Sequence, residues 1–541
     1  MKPVTIHGAP EGFDALLVAR RRAEIDAPIA HVCRDDARMA RMAEALGFFA
    51  PEIEVLRFPA WDCLPYDRVS PNPEIVAERV ATLTRLLEAG KRPRVLLTTI
   101  NALVQKVPSP NVFEGATLAL AKGGRVQPEK LTRFLEANGY HRTGTVMEHG
   151  EYAVRGGIID LFPAGEPEPI RLDLFGDEIE DMRRFDTASQ RSGKVVPALA
   201  LRPVGEVFLD EASRTRFRGA YRELFGAAAA DDPLYGAISA GRRYPGMEHW
   251  AGLFHENMVP LLEYLPGAEI SFDHQAEEVL KARLEMITDH YEARRVPIRV
   301  GEGDVPYRPA PPATLYLDDA DWSAMLTDCR VLRFSPFAVP EGIAAGGRPG
   351  PLFAEARSAG ENVFAAYAAM VQGEAKAKRR PVLAAWSRGS RERLGNLLRE
   401  NGVRAEAAED WIAARALPDD VVALVVMGIE RGFIAEGIAV TAEQDLLGER
   451  IARPPRRRRR ADQFIADATE IAEGDLVVHQ DHGIGRYEGL VTIEVSGAPH
   501  DCLKLIYDGG DRLFVPVENI EILSRFGSEG AGVALDKLGG V

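Results

Sequence analysis

Short apolar runs alternate with amphipathic helical stretches in two separate parts of this sequence, which confines both parts to parallel β-sheets flanked by helices. In residues 1–115 the strand-like runs are "PIAHVC" (28–33), "IEVLRF" (53–58) and "RVLLTT" (94–99). Between the last two lies "SPNPEIVAERVATLTRLLEAG", in which Asn72 can cap a helix and Pro73 suits its first turn. Val76, Val80, Leu83 and Leu87 form one apolar stripe, and Gly90 marks the stop. The alternation returns in residues 352–450, with strands "PVLAAW" (381–386) and "VVALVVM" (421–427) around a capped helix "SRERLGNLLREN" (390–401). A Pro/Gly-rich stretch, "EGIAAGGRPGP" (341–351), separates this second unit from the mixed helix and strand of residues 206–340.

Two other segments read as mainly β. In residues 116–205 strands follow one another, and "PIRLDLFGDEIEDMRRFD" (169–186) reads as a hairpin turning at Gly176-Asp177. Arg171, Asp173 and Phe175 fall on one face of it, opposite Ile170, Leu172 and Leu174. An outward Phe beside arginines has the composition of an interface anchor. Just upstream, "EYAVRGGIIDLFP" (151–163) places Arg155 beside a Gly156-Gly157 pair able to host a bulge. By strand parity Arg155 faces outward, either as a binding residue or as a solvated arginine on an edge strand. Residues 472–526, with "GDLVVH", "CLKLIY" and "RLFVPV" between Gly/Asp turns, have the pattern of a small SH3-like barrel.

Composition removes several function classes. With 541 residues the chain needs several cores, and no apolar run reaches membrane-spanning length. The N-terminus has no charged-then-apolar signal pattern, and four scattered cysteines form no C-x-x-C pair, so the expected compartment is the cytoplasm. A net charge of −15 argues against a DNA-coating basic surface, and "RPPRRRRRADQ" (453–463) reads as a solvated linker, with a nucleic-acid-binding arm as the alternative.

Two α/β units suggest a nucleotide-driven motor, yet no G-x-x-x-x-G-K-[ST] is present. Gly90-Lys91 and Gly193-Lys194 lack the hydroxyl that follows. "IHGAPEGFDALLVAR" stands where a phosphate loop would, but Pro10, Glu11 and Phe13 replace what phosphate needs. His479 and His482 lack further metal ligands, and no G-x-S-x-G elbow occurs. "FPAWDCLPYD" (58–67), with Asp62 and Asp67, is expected to pack against the first sheet. We therefore expect no catalytic residues, metal or cofactor in this chain.

Long ordered motifs carry a resemblance. "FPAWDCLPYDRVSPNPEIVAERVATLTRLL", "VLLTTINALVQKV", "EHGEYAVRGGIIDLFP" and "RLDLFGDEIEDMRRFD" resemble the UvrB-homology module of the bacterial transcription-repair coupling factor family. "GDLVVHQDHGIGRYEGL" and "LKLIYDGGDRLFVPVENIEILSRF" resemble its RNA polymerase-interacting, CarD-like domain. "GMEHWAGLF", "LLEYLP" and "IAVTAEQDLLGER" extend the likeness more weakly over residues 206–330 and 352–450.

The resemblance implies a multidomain α/β chain. Two degenerate, helicase-like parallel-sheet units would be joined by an inserted mainly-β or α+β domain and followed by the SH3-like barrel. The implied limits are 1–115 and 206–340 for the two UvrB-like parts, 116–205 for a UvrA-binding domain, and 352–450 for a small α/β domain. A basic linker would occupy 451–471 and the polymerase-interacting domain 472–541. It implies UvrA contacts at Arg155, Arg171 and Phe175, which favours the binding reading of Arg155. RNA polymerase β-subunit contacts are implied at Ile493, with Thr492 and Val495 on the same strand. The function implied is recruitment of UvrA to stalled polymerase by a monomer. Double-stranded DNA would be engaged mainly through an ATP- and Mg-dependent motor belonging to the rest of the family's chain, making this the adaptor half. Alternatives from other classes are a CarD-like transcription regulator and a working ATP-dependent helicase or translocase.

Overall fold

The computed structural model describes residues 3–90, 92–226, 232–295, 307–327, 329–360, 362–448, 474–479, 482–495, 498–516 and 523–527. The chain divides into two compact units, one made of Met1–Val300 with Val305–Ala452, the other containing Arg453–Val541. The arginine run 453–460 lies outside the described residues.

A seven-stranded, wholly parallel sheet organises the first unit. Its order is Ile343–Ala344, Val4–His7, Arg330–Ser335, Glu269–Phe272, Ile29–Cys33, Arg94–Thr99, Glu54–Phe58. Strands such as Ile29–Cys33 are buried along their whole length, as a sheet covered on both faces requires. One face packs on helix Pro73–Leu87, the other on helices Phe13–Glu24 and Asp36–Phe49. Asn72 caps the first of these helices by accepting from the Glu74 N–H. The helix ends at Leu87, before Gly90. The strands between Val4–His7 and Ile29–Cys33 come from residues 269–335, so the segments 1–115 and 206–340 supply six strands of a single sheet, and the seventh, Ile343–Ala344, comes from the Pro/Gly-rich stretch 341–351.

The inserted stretch leaves and returns through a two-stranded neck, Leu118–Ala121 against Ala198–Leu201. Beyond it a six-stranded sheet runs in the order Ser192–Val195, Glu178–Phe185, Ile170–Phe175, Ile158–Leu161, Glu151–Arg155, His141–Arg142. Its inner face packs Ile159, Leu161, Ile170, Leu172 and Met182 on Leu131 and Leu135. Those leucines belong to helix Pro128–Ala137, the helical layer of an α+β arrangement.

The second α/β region has its own six-stranded sheet, in the order Arg348–Pro349, Phe433–Ala435, Ile438–Ala442, Arg380–Ala385, Val422–Val426, Ala405–Ala407. The four strands from Ile438–Ala442 to Ala405–Ala407 are parallel. The helix between Arg380–Ala385 and Ala405–Ala407 begins at Arg388, capped by Ser387 rather than Ser390. Phe48 and Phe49 meet Trp411, with ring centroids 6.3 and 5.9 Å apart, and the two α/β regions share one apolar core.

The second unit is a five-stranded antiparallel sheet, in the order Arg512–Pro516, Ala498–Ile506, Gly483–Val495, Leu476–His479, Leu523–Gly527. Val477, Tyr487, Leu503, Leu505, Tyr507 and Val515 form its core.

Candidate docking surfaces

The strand–loop–helix of residues 4–24 has the arrangement in which helix N–H groups could cradle a phosphate. The chain's own carboxylates stand there instead. Asp14, buried, accepts from the backbone N–H groups of Gly12 (3.0 Å) and Ala15 (2.8 Å) and pairs with the equally buried Arg38. Arg38 also lies 3.5 Å from Asp273, and Glu11 pairs with Arg41. Burial lifts the Asp14 carboxyl to about 6 against the opposing pull of Arg38. Gly12 has φ of +88°, and a Cβ there would approach the Phe433 ring to 3.0 Å, so the loop is also a close contact with the second α/β region. Residues 1–541 are therefore expected to hydrolyse no ATP. Phosphate release that follows the protein through successive purification steps would overturn this.

The outer face of the inserted sheet gathers the three residues singled out upstream. Arg155 and Ile158 are paired across Gly156-Gly157, which form a two-residue hairpin turn and not a bulge. Gly156 takes a positive φ (+62°), as a type II′ turn needs at its first central position. Gly157 passes so close to the neighbouring strand that a Cβ would sit 2.6 Å from the Leu174 carbonyl oxygen. Arg155 is exposed at this tip, its Nη2 donating to the Gly144 carbonyl (2.5 Å) and the Thr145 hydroxyl (3.2 Å).

Phe175 occupies the tip of the next hairpin, across Gly176-Asp177 from Glu178, and is 76% exposed. Ile170, Leu172 and Leu174 are buried on the opposite face, the alternation the sequence reading expects. Arg171 shares the face of Phe175 but is engaged within the sheet, pairing with Asp160. Asp160 escaped the sequence reading. Its signal was a lone carboxylate inside the apolar run "GGIIDLFP", which demands a cationic partner if the strand is covered. At the far end of this face Val146, Ala153, Phe162 and Phe185 make a small separate cluster.

In the second unit, Thr492, Ile493 and Val495 lie on the strand Gly483–Val495, whose backbone pairs with Ala498–Ile506. Their side chains lie outside the described residues. Ile493 is registered against His500, and Pro499 lies within the partner strand opposite Glu494. On the other side, pairing with Leu476–His479 stops at Arg486, so among the described strands residues 490–495 have a partner on one edge alone. His479 and His482 have ring centroids 4.6 Å apart, and among the described residues no third His, Cys, Asp or Glu makes a metal-binding group with them.

Three segments of the chain match known domain families. Residues 118–206 match the UvrB interaction domain, 375–446 the MFD D3 domain, and 471–527 the CarD-like/TRCF RID domain. The class is thus an α/β chain with an inserted UvrB-type interaction domain and a separate CarD-like domain. Similarity to individual relatives runs almost end to end. The transcription-repair-coupling factor of Haemophilus influenzae is 31% identical over 98% of this chain and 46% of its own length. That of Escherichia coli is 31% identical over 97% and 45%, and that of Bacillus subtilis 25% identical over 96% and 44%. Across nearly its whole length the chain is similar to transcription-repair-coupling factors, and it spans about half the length of the curated relatives it matches.

Proposed function

We propose that this chain is an adaptor of transcription-coupled DNA repair: its C-terminal domain holds RNA polymerase and its inserted sheet recruits UvrA. The observation that supports this best is Phe175, a 76% exposed aromatic at a hairpin tip on the sheet face that also carries Arg155. An aromatic anchor beside a guanidinium is the composition of an interface hot spot. The residues that the resemblance offers for the UvrA surface are Arg155, Arg171 and Phe175, of which Arg155 and Phe175 are the exposed pair. The helicase-like reading of the two parallel sheets and the barrel reading of residues 472–541 belong to the same proposal, as do the domain limits set out above. So do action as a monomer in the cytoplasm without a cofactor of its own, and engagement of double-stranded DNA mainly through the family's ATP- and Mg-dependent motor.

The test is capture of purified UvrA by the full chain. Phe175→Ala is expected to weaken it by roughly 1–3 kcal/mol. The residue is exposed, so thermal stability is expected to stay near wild type. Wild-type binding by a folded Phe175→Ala protein would remove the hairpin from the interface.

For polymerase, the reading places the β subunit against the one-sided strand segment 490–495, with Ile493 as the apolar contact beside Thr492 and Val495. A strand edge can accept a partner strand through backbone hydrogen bonds. Ile493→Arg is expected to weaken polymerase binding by roughly 2–4 kcal/mol, the range of a hot-spot loss. The second unit should melt at its wild-type temperature. Loss of binding that accompanies unfolding of this unit would instead place Ile493 in its core.

A further inference from the structure

We propose that Arg171 serves the docking face from within, as the positioning residue that holds two hairpin tips in register, while Arg155 and Phe175 meet the partner. This rests on the reading of that face as the UvrA surface.

Arg171 and Asp160 stand directly opposite each other on adjacent antiparallel strands. Their pairing is bidentate, Nε to Oδ1 at 2.7 Å and Nη2 to Oδ2 at 2.9 Å. The Asp160 side chain is 2% exposed, so its charge has no recourse to water. The remaining edge of the guanidinium, Nη1, donates to the Gln190 carbonyl and the Ser192 hydroxyl, each at 3.2 Å. Its central carbon, Cζ, lies over the Phe185 ring, 4.9 Å from the centroid. Arg183, the residue across from Arg171 on the other side, turns to Asp181 (2.6 Å). The fork of Arg171 is thus taken up by the chain's own acceptors, and 22% of its side chain remains exposed.

The position of this pair explains its use. Asp160 lies two residues beyond Ile158, where the Arg155 hairpin closes, and Arg171 lies four residues before Phe175. Through Gln190 and Ser192 the same guanidinium also reaches past the strand Glu178–Phe185 to the edge of the sheet. A slip of one residue between strands turns every side chain to the other face, which would bury Phe175. A bidentate pair across the two strands opposes that slip, and its planar fork tolerates little misalignment.

Asp160→Asn removes the charge partner and keeps the shape. The expected result is a UvrA Kd raised about tenfold, although Asp160 is too deeply buried to touch a partner. Amide hydrogen exchange at Ile158, Leu174 and Ile179 in the free chain should rise by a similar factor. A contacting Arg171 would instead be released by Asp160→Asn, so binding at or above the wild-type level overturns the proposal. Should this variant unfold the inserted domain, the double variant Asp160→Asn/Arg171→Gln is read alone, since its two amides can hydrogen-bond across the same strands. Its binding should return to within about threefold of wild type. Binding as weak as that of Arg171→Ala, with exchange restored, would show that the guanidinium charge itself is required and would overturn the proposal. The exchange arm needs no partner. Unchanged exchange in Asp160→Asn refutes the positioning role, whereas a wild-type chain that fails to bind UvrA counts against the docking reading alone.

Discussion

Arg79→Ala is expected to destabilise the first unit by about 3–5 kcal/mol, the cost of leaving a buried charge without its partner. Arg79 projects from helix Pro73–Leu87 and is fully buried. Its Nε and Nη2 reach the two Glu206 oxygens at 2.5 and 3.2 Å, and Nη1 donates to the Pro59 carbonyl at 2.8 Å. The guanidinium lies 4.1 Å from the centroid of Phe58, and the Trp61 indole N–H donates to Glu206 at 3.4 Å. Glu206, also buried, is where the chain re-enters the large sheet region from the inserted domain. Removing the arginine strands that carboxylate and frees the returning strand, which a second pair, Arg202 to Glu88 at 2.8 Å, ties to the end of the same helix. Replacing both partners at once, as Arg79→Met/Glu206→Leu, should cost far less, because two apolar side chains need no compensation. Urea unfolding measures both. A loss below about 1 kcal/mol for Arg79→Ala would mean that water reaches Glu206 in the variant.

The parallel character of the large sheet was legible because short apolar-rich strands such as Ile29–Cys33 and Arg94–Thr99 alternate with helical stretches. Strand order was not. Two interior strands arrive more than two hundred residues after their neighbours, and one of them, "EISF" at Glu269–Phe272, is too short and too polar to announce itself. Its Glu269 is tolerated because Arg21 clamps both carboxylate oxygens from helix Phe13–Glu24, a contact between residues 248 apart. The docking face shows the same division. The alternation that exposes Phe175 is local and could be read, whereas the Arg171–Asp160 pair depends on register between strands. Gly156-Gly157 was ambiguous for a related reason: a bulge and a two-residue turn ask for the same residues, and pairing of Arg155 with Ile158 decides between them. In the loop between Val4–His7 and helix Phe13–Glu24, Glu11 was visible as hostile to phosphate. The buried Asp14–Arg38 pair behind it came from another helix and was not foreseen.

Lowering the pH from 7.5 to 5 is expected to cost the first unit about 3 kcal/mol, through two histidines held neutral in its core. His31 sits in the middle of the large sheet, fully buried, with Nδ1 2.9 Å from the Ser271 hydroxyl on the adjacent strand. Burial, aided by the positive charge of Arg38, brings its pKa down to about 3. His249 packs edge-on against Trp61, with centroids 5.7 Å apart, and burial brings it down to about 4. Both folded values lie below the unfolded value of about 6.5, so the unfolded chain binds more protons and stability falls as pH drops. The loss begins near pH 6.5 and continues towards pH 4 for His249 and pH 3 for His31. At pH 5 each histidine accounts for roughly 2 kcal/mol. His255 acts in the same direction, its pKa also lowered by burial. Asp14 opposes them. Its carboxyl, raised to about 6, takes up a proton in the folded state first and returns roughly 1 kcal/mol by pH 5. Chemical denaturation at the two pH values measures the sum, and His249→Gln isolates one contribution. In that variant the difference between pH 7.5 and pH 5 should shrink by about 2 kcal/mol, since glutamine has no proton to bind. A difference as large as in the wild type would show that His249 is already protonated, or reached by water, in the folded state.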